Sequence, residues 1–432
     1  MHNKPKTLCM APWTHTYLSP QTERRMCCAS REPAQNFQQY IDTESGTGKY
    51  IPITLEEHWN GEHMKSVRRR MILGEELPEC DVCNNKLLNT DVYRSYFTHL
   101  FGHKYLQAME ETDSTGYTTM KPVSWDYRFS NLCNFKCRMC GDMLSSSWEA
   151  EQRQHNMINW YDSKNNWMIP EIKKQIENFQ TTQIEQEFSQ AVENHQIEEV
   201  YWVGGEPLMY DQHWRYMKRI IELGDGPNVY ARYNTNLSRI NYRGINLYSD
   251  ILARLRDWQI CASLDGTGRI GEYIRTGLDY NQWIKNFSEG IKIQNNPRQM
   301  RIDFTLTLPG MFEVIRIQEL SKSFGVDLLA KVVFSFSPDI IMSPLALPRS
   351  ILEPWIDELL VDAIGVMHDM LIQLKSRPTF DEQWPDTYQK ELAKGKQRVL
   401  HLESIRTQSI TINEILSNRP DVLEWWNNIE TI

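Results

Sequence analysis

The residues of this chain best suited to chemistry are its cysteines. Nine are present among 432 residues, and three of them form the run Cys133-Asn-Phe-Lys-Cys137-Arg-Met-Cys140, a C-x3-C-x2-C spacing. Three thiolates on one short loop can ligate three corners of a [4Fe-4S] cube and leave the fourth iron open for a small chelating ligand. The alternatives are a zinc knuckle without its last ligand, the next histidine being His155, or buried thiols at an accidental spacing.

Five further cysteines lie before residue 84 and suggest a second site. The segment Cys9 to Leu18 alternates as a strand, and Arg24 to Cys27 is predicted to return beside it, so that Cys9 meets Cys27 or Cys28 across a hairpin. The pair in Cys80-Asp-Val-Cys83 follows soon afterwards in the chain. By spacing alone, such a four-cysteine site fits zinc and an iron–sulfur cluster equally well.

A predicted helix separates the two cysteine groups of this N-terminal region. Thr54 and Glu57 have the spacing of a capping box, and Met64 and Met71 have helical spacing beyond it. Gly74 is expected to end the helix, so that Cys80 and Cys83 follow it directly. His15 is a candidate further ligand, although an exposed histidine is the commoner case.

The elements that must position the C-x3-C-x2-C loop are strands alternating with helices. The hydrophobic pattern predicts six strands, at Val123–Phe129, Glu198–Val203, Val229–Asn234, Gln259–Leu264, Ile302–Leu308 and Lys331–Phe336. Each segment between two of these strands is long enough for a crossover helix. This alternation predicts an α/β fold with a parallel sheet, closed or partly closed into a barrel. Ligands then bind at the carboxyl ends of the strands.

Unusual motifs stand at these strand ends. The cysteine loop follows the first strand, Gly204-Gly205-Glu206-Pro207 the second, Asn234-Thr235-Asn236 the third and Ser263-Leu264-Asp265-Gly266 the fourth. Paired glycines let the backbone turn sharply and approach a ligand, and a carboxylate or free carbonyl there can accept hydrogen bonds from an ammonium group. Taken alone, Gly-Gly-Glu-Pro is equally explained as a plain turn between a strand and a helix.

C-x3-C-x2-C after the first strand followed by Gly-Gly-Glu-Pro after the second resembles the radical S-adenosylmethionine (SAM) superfamily. The resemblance covers roughly Pro122 to Ser337 and implies a partial six-stranded (β/α)6 TIM-like barrel. It further implies that Cys133, Cys137 and Cys140 hold a [4Fe-4S] cluster whose open iron is chelated by the amino and carboxylate groups of SAM. The residues that would line the SAM pocket are Met139, Gly204, Gly205, Glu206, Pro207, Thr235, Asn236, Ser263, Asp265 and Arg275.

Two of these positions have particular implied roles. Arg275 stands ten residues beyond Asp265, where relatives carry an arginine to the SAM carboxylate. Met139 replaces the aromatic residue that the family often places beside adenine, and a thioether can pack there too. The implied chemistry is electron transfer from the reduced cluster to the sulfonium, giving a 5′-deoxyadenosyl radical that takes a hydrogen atom from the substrate.

The N-terminal pattern of Cys-x2-Pro-Trp, Cys-Cys, a helix and Cys-x2-Cys resembles the auxiliary-cluster module called SPASM, or its shortened form, the twitch domain. In relatives the module follows the barrel, whereas here it precedes it. A full SPASM module needs ligands for two clusters, and this segment has five cysteines. We therefore expect one auxiliary [4Fe-4S] cluster on Cys9, Cys27, Cys80 and Cys83, with Cys28 the rival of Cys27 because adjacent strand residues face opposite sides.

Three segments follow from this interpretation. Residues 1–110 are the predicted auxiliary module, residues 121–340 are the radical SAM core with a helical insertion at 141–196, and residues 345–432 are a helical C-terminal region. Cys261 lies within an apolar strand and is predicted to be an inert core thiol.

Composition limits the remaining possibilities. Hydrophobic residues make up 41% and charged residues 24%, which is globular composition, and the net charge of -9 makes a nucleic-acid partner unlikely. No apolar run approaches twenty residues and the N-terminus has no hydrophobic stretch, so we expect a cytoplasmic protein without membrane contact.

The function predicted from the sequence is a radical SAM oxidoreductase or maturase. Its expected partners are a peptide or small-molecule substrate and an electron donor such as flavodoxin or ferredoxin. A small-molecule radical dehydrogenase and a carbon–carbon bond-forming enzyme are the alternatives within enzymology. A zinc-stabilised, non-catalytic binding protein is the alternative from another class.

Overall fold

The computed structural model describes residues 6–31, 41–42, 49–84, 93–158, 163–335 and 338–430. They fall into two compact units. The first unit comprises Met1–Cys133, Asp142–Asn234 and Asn241–Trp258, and the second comprises Asn134–Gly141, Thr235–Ile240 and Gln259–Ile432.

Strands and helices alternate along most of the chain. The strands are β1 His15–Leu18, β2 Arg24–Arg25, β3 Ile41–Asp42, β4 Lys49–Tyr50, β5 Ser124–Tyr127, β6 Glu199–Trp202, β7 Tyr230–Thr235, β8 Asn241–Tyr242, β9 Ile245–Asn246, β10 Asp257–Ser263, β11 Met300–Leu306 and β12 Asp327–Val332. The first ten helices are α1 Ala11–Thr14, α2 Leu55–Trp59, α3 Glu62–Ile72, α4 Asp81–Asn84, α5 Tyr93–Phe101, α6 Tyr105–Glu110, α7 Ser146–Gln154, α8 Pro170–Phe179, α9 Glu185–Glu193 and α10 Asp211–Glu222. They are followed by α11 Gly268–Ile274, α12 Tyr280–Ile293, α13 Val314–Phe324, α14 Arg349–Leu360, α15 Gly365–Lys375, α16 Phe380–Gln383, α17 Pro385–Ile405, α18 Ile412–Leu416 and α19 Pro420–Asn428.

The six predicted core strands correspond to β5, β6, β7, β10, β11 and β12. Their parallel pairing and the helices between them confirm the predicted α/β class, with the strand–helix order of a partial TIM-like barrel. The helical C-terminal region is also confirmed, because α14 to α19 follow the last strand.

The sheet of the first unit has the order β7-β6-β5-β1-β2. Strand β1 runs parallel to β5, and β2 runs antiparallel to β1. The register places His15 beside Ser124, Ser124 beside Glu199 and Glu199 beside Tyr230. A strand from the cysteine-rich N-terminal region therefore belongs to the same sheet as the strand that precedes Cys133.

The two faces of this sheet differ in chemistry. One face carries Trp125, Tyr127 and Trp202, whose rings pack within about 6 Å of the Phe188 ring on α9. His213 of α10 packs against Trp202 on the same side. Such aromatic pairs stabilise a fold beyond the area that they bury. The other face carries polar and charged side chains.

The second unit contains β10 from Gln259 onward, β11 and β12, all parallel. Helix α13 ends at Gly325, whose φ of 65° is the left-handed conformation typical of a helix C-terminus. Strand β12 then begins at Asp327, four residues earlier than predicted, because the chain enters the sheet immediately after this glycine.

The predicted strand from Cys9 to Leu18 is wrong in its first half. Residues Ala11–Thr14 form the one-turn helix α1, with Pro12 in the first turn, where a missing N–H costs no hydrogen bond. Only His15–Leu18 is a strand, and the hairpin with Arg24–Arg25 is confirmed.

The predicted helix before Cys80 is present but divided. The Thr54–Glu57 capping box forms, and it starts the short helix α2. A second helix, α3, carries Met64 and Met71, and it is followed by Gly74 at a φ of 77°.

No helix among the described residues is long and apolar enough to cross a membrane. The division into segments 1–110, 121–340 and 345–432 stays a prediction, since the two compact units divide the chain at other positions.

Candidate functional site

In the first unit, the Gly-Gly-Glu-Pro turn is fixed to the loop that precedes Cys133. The Gly205 N–H donates a hydrogen bond of 2.9 Å to the Tyr210 hydroxyl, which donates one of 2.6 Å to the Ser130 carbonyl. The Glu206 N–H donates to the Leu132 carbonyl at 2.7 Å. Three hydrogen bonds therefore hold the two motifs together.

Both glycines of the turn are required by geometry. Gly204 has a φ of 126°, which side chains rarely adopt. A Cβ added at Gly205 would lie 2.3 Å from the Leu132 carbonyl oxygen. The Glu206 carboxylate caps the short helical turn Pro207–Met209 by accepting a bond from the Leu208 N–H.

Tyr210 was not singled out from the sequence, and its substitution provides a test of this arrangement. In Tyr210→Phe, the partly buried Gly205 N–H and Ser130 carbonyl lose their shared partner, and an unsatisfied group costs up to about 1–3 kcal/mol. We expect SAM affinity, measured by equilibrium binding without reductant, to fall by about tenfold or more. Tyr242→Phe, whose hydroxyl bonds to Asp211 at an exposed position, is the control. Unchanged SAM affinity in Tyr210→Phe would show that the turn does not depend on this hydroxyl.

In the second unit, the rest of the cysteine loop lies against the end of α11 and the segment that follows it. The backbone N–H of Lys136 donates to the Thr276 carbonyl at 2.7 Å, and that of Arg138 donates to the Ile274 carbonyl at 2.8 Å. This pairing fixes the backbone on both sides of Cys137.

Side chains from the C-terminal region hold the same loop. Arg406 donates to the Lys136 carbonyl at 3.0 Å, and Gln408 accepts a 2.7 Å bond from the Arg138 guanidinium. Arg138 itself is 1% exposed and lies 3.8 Å from the centre of the Tyr273 ring. The helical C-terminal region therefore supports the cysteine loop directly, which its sequence did not indicate.

Asp265 and Arg275 form a buried ion pair beside Cys137. Their Oδ2 and Nε atoms are 2.6 Å apart, and Nη1 of Arg275 lies 3.9 Å from the Cys137 sulfur. Burial alone would lower the pKa of Arg275, but the Asp265 carboxylate and the Cys137 thiol raise it above the ordinary value. The Thr305 N–H holds Asp265 at 2.8 Å. Arg275 is thus fixed with a permanent positive charge next to a predicted cluster ligand.

The remaining predicted SAM-pocket residues of the second unit are placed as follows. Asn236 is buried and donates to the Asn134 side chain within the cysteine loop at 3.0 Å. Thr235, also buried, accepts a bond from the Leu237 N–H. Ser263 lies at the end of β10 and Met139 in the cysteine loop, and both are half-buried. Cys133 and Gly204–Pro207 belong to the first unit, and Cys137, Cys140 and these residues to the second.

The four N-terminal cysteines predicted as auxiliary ligands line one small cavity of the first unit. Cys9, Cys27, Cys80 and Cys83 contribute to its wall, together with Tyr93 and Arg94. Across the part of the chain that the structure describes, no three His, Cys, Asp or Glu side chains converge closely enough to hold a single metal ion. The four thiols match the donor set of a [4Fe-4S] cluster, in which each thiolate binds a different iron.

The surroundings of these thiols also suit a cluster. Cys9 accepts a hydrogen bond from the Ala11 N–H at 3.5 Å, and Cys27 accepts one from the Ala29 N–H. Such bonds to sulfur tune a cluster's potential. Burial raises the pKa of Cys9 to about 12 and that of Cys80 to about 11. Metal binding would therefore release a proton from each of these two thiols.

The surroundings of Arg94 show independently whether this cavity suits an iron–sulfur cluster. Its guanidinium hydrogen-bonds the Cys80 sulfur and lines the cavity. Its Nε is buried with no hydrogen-bond partner among the described residues. A buried guanidinium N–H needs an acceptor, and a cluster with four thiolate ligands is an anion. The four thiols and this unsatisfied Nε–H donor fit the predicted group.

Cys28 has different neighbours from Cys27. Its thiol hydrogen-bonds the Tyr93 hydroxyl and lies within electrostatic range of Asp126, Arg128 and Arg232 on the polar face of the sheet. The cavity wall contains Cys27. Of the two rival ligands, Cys27 is therefore the one that lies at the cavity with the other three cysteines.

His15 is buried, contrary to the expectation of an exposed side chain. It is 2% exposed, its Nδ1 lies 2.6 Å from the Ser124 hydroxyl, and its ring packs on Phe97. Burial, with smaller effects of Arg232 and Arg128, lowers its pKa to about 3, so the imidazole is neutral. Strand pairing of β1 with β5 covers this residue, which explains the difference. Cys261 is 5% exposed within β10, as a core thiol would be.

The fold and the motifs together define a class of protein. Residues 127–313 match the family model described as Radical SAM superfamily. These residues thus form a radical SAM domain, which covers the Cys-x3-Cys-x2-Cys loop, Gly-Gly-Glu-Pro and the strands from β6 to β11. No curated protein matches the chain.

Proposed function

We propose that this radical SAM enzyme removes a hydrogen atom from a peptide or small-molecule substrate with the help of one auxiliary [4Fe-4S] cluster. The observation that carries the proposal is the four-cysteine cavity, which is present in the same chain as the radical SAM domain. An electron donor such as flavodoxin or ferredoxin would supply the reducing equivalent.

The residues for the SAM-binding cluster are Cys133, Cys137 and Cys140, on the spacing of their loop. When bound there, the cluster and SAM supply the hydrogen-abstracting radical that is common to the superfamily. The protein's own contribution is to fix the segment before Cys133 through Tyr210 and, separately, the backbone around Cys137 through Arg138 and its partners. A rigidly held loop keeps the reacting groups in one orientation.

The residues for the auxiliary cluster are Cys9, Cys27, Cys80 and Cys83. Arg94 would donate hydrogen bonds to it, and burial would keep water from its sulfurs. An auxiliary cluster in this position can accept an electron from a substrate radical or bind the substrate. Either role makes the enzyme an oxidoreductase or a maturase.

Metal analysis after anaerobic reconstitution tests this proposal. We expect about eight irons and about eight sulfides per chain, because each [4Fe-4S] cluster contains four of each. About four irons would limit the chain to the SAM-binding cluster. Zinc retained at a stoichiometric level, with only about four irons, would assign the N-terminal cysteines to a structural zinc site instead.

A further inference from the structure

The polar face of the first unit's sheet carries two arginines with N–H donors that no described residue accepts. Arg128 follows β5 directly, and Arg232 lies on β7. Asp126 and Cys28 each lie within electrostatic range of both guanidinium groups, so the two cations occupy one region of this face.

Arg232 is the more unusual of the two. It is 9% exposed and lies between the rings of Tyr96 and Tyr201, 4.0 Å from the centre of each. Its Nε is 3.4 Å from a Glu199 oxygen, without the geometry of a hydrogen bond. No described residue accepts a hydrogen bond from its guanidinium.

Other buried arginines of the same unit have several hydrogen-bond acceptors around their guanidinium groups. Arg24 donates to the Ile53 carbonyl, the Tyr127 hydroxyl and both oxygens of Glu187. Arg68 donates four bonds, to three backbone carbonyls and an asparagine side chain. Since buried polar groups are nearly always hydrogen-bonded, Arg232 indicates an acceptor that is not part of the described chain.

Arg128 extends this region toward the Gly-Gly-Glu-Pro turn. Its Nε and Nη2 donate to Asp126 at 3.1 and 3.2 Å, and its guanidinium lies 4.8 Å from the centre of the Tyr17 ring. No described residue accepts a bond from its Nη1. A Cβ added at Gly204 would lie 3.0 Å from the Cβ of Arg128, so this arginine borders the turn.

The two guanidinium groups are slightly more exposed than the carboxylates beside them. The side chains of Asp126 and Glu199 are each 1% exposed, whereas those of Arg128 and Arg232 are 14% and 10% exposed. The neighbouring His15 is neutral. The carboxylates therefore offset the charge of the two arginines, while each arginine keeps an N–H donor without a described acceptor.

We propose that Arg128 and Arg232 bind a carboxylate or phosphate group of the substrate. The planar guanidinium fork is suited to both of these anions. Binding of the anion is independent of the cluster assignments, and only its identification as part of the substrate rests on the proposed function. The backbone end of the Arg128 side chain also borders Gly204, in the turn implicated in SAM binding.

The test measures anion binding to the reconstituted holoenzyme by calorimetry, without reductant, so that SAM is not cleaved. Sodium phosphate and sodium acetate are titrated separately at constant ionic strength. We expect one of them to bind saturably, and Arg232→Gln to weaken that binding by about tenfold or more, as for a charge-assisted hydrogen bond. Phosphate binding indicates a phosphorylated substrate and acetate binding a carboxylic acid.

Two variants keep the result interpretable. Arg243→Gln changes a 76% exposed arginine of the same unit and should bind the anion as the unchanged protein does. If Arg232→Gln does not fold, as judged by circular dichroism, Arg232→Lys retains the charge and should still weaken binding, because the fork is lost.

Three outcomes would overturn the proposal. They are the absence of saturable binding for both anions, equal affinity in Arg232→Gln and the unchanged protein, and an Arg128→Gln variant that loses SAM affinity but not anion affinity. The last result would assign Arg128 to the SAM carboxylate. Failure of the proposed function would appear instead as missing iron or missing SAM cleavage, with anion binding intact.

Discussion

Replacement of Cys133, Cys137 or Cys140 by alanine is expected to abolish formation of 5′-deoxyadenosine from SAM under reducing conditions. Each thiolate would hold a different iron, so the loss of one leaves two protein ligands, which are too few to retain the cluster and its open iron for SAM. We expect the rate of SAM cleavage to fall by at least about 100-fold and the iron content to fall from about eight to about four per chain.

Cys261→Ala is the matched control for this experiment. That thiol is buried in β10, outside both proposed cluster sites, and its removal should leave the iron content and the rate of SAM cleavage unchanged. Chromatography of the reaction mixture measures 5′-deoxyadenosine, and colorimetric assay measures iron. Normal 5′-deoxyadenosine formation in Cys137→Ala would refute the assignment of that cysteine.

The replacement of a cysteine of the N-terminal cavity is expected to cause a second large effect, the loss of about four irons and of substrate conversion. Alanine at Cys9, Cys27, Cys80 or Cys83 removes a ligand of the proposed auxiliary cluster, and about four irons should be lost while the SAM-binding cluster remains. SAM cleavage should persist at a comparable rate, because it requires only the other cluster. Conversion of substrate should be lost, which separates the two sites functionally.

Cys28→Ala distinguishes the two adjacent cysteines. Its thiol bonds to Tyr93, so this variant should keep about eight irons, whereas Cys27→Ala should keep about four. Electron paramagnetic resonance of the reduced proteins should show two cluster signals in Cys28→Ala and one in Cys27→Ala. The reverse pattern would make Cys28 the ligand.

The fold of the core was largely predictable because its signals are local. Each core strand is a short apolar run followed by a glycine-, asparagine- or cysteine-containing motif, as for Glu199–Trp202 before Gly204. The boundaries were less predictable. Strand β12 begins earlier than expected because Gly325 ends the preceding helix in a left-handed conformation that places the chain in the sheet at once.

The N-terminal region was less predictable because its structure depends on distant pairing. Strand β1 gains its parallel neighbour, β5, from more than a hundred residues away, and no local pattern encodes that contact. The same pairing buries His15 against Ser124, although its sequence neighbourhood is unremarkable. Pro12 was a local signal for α1, but the alternation of the surrounding residues suggested a strand instead.

The motif residues of the site were recognisable, but the residues that hold them were not. Gly205 is explained by its sequence motif, whereas its partner Tyr210 is an ordinary aromatic residue in the printed chain. Arg406 and Gln408 reach the cysteine loop from about 270 positions away. Spacing identifies groups that bind one centre together, and it contains no information about side chains that support them from elsewhere.

The parallel pairing of β1 with β5 has a consequence for electron flow. Cys9 precedes β1 and Cys27 follows the antiparallel strand β2, so both belong to the end of the sheet where β1 and β5 begin. Cys133 follows the end where β5 finishes. Four residues of strand span ~13 Å, so the length of this strand pair lies between the two proposed auxiliary ligands and the beginning of the loop that carries Cys133. In the proposed function, an electron that moves from the auxiliary ligands toward Cys133 would cross that length of the sheet.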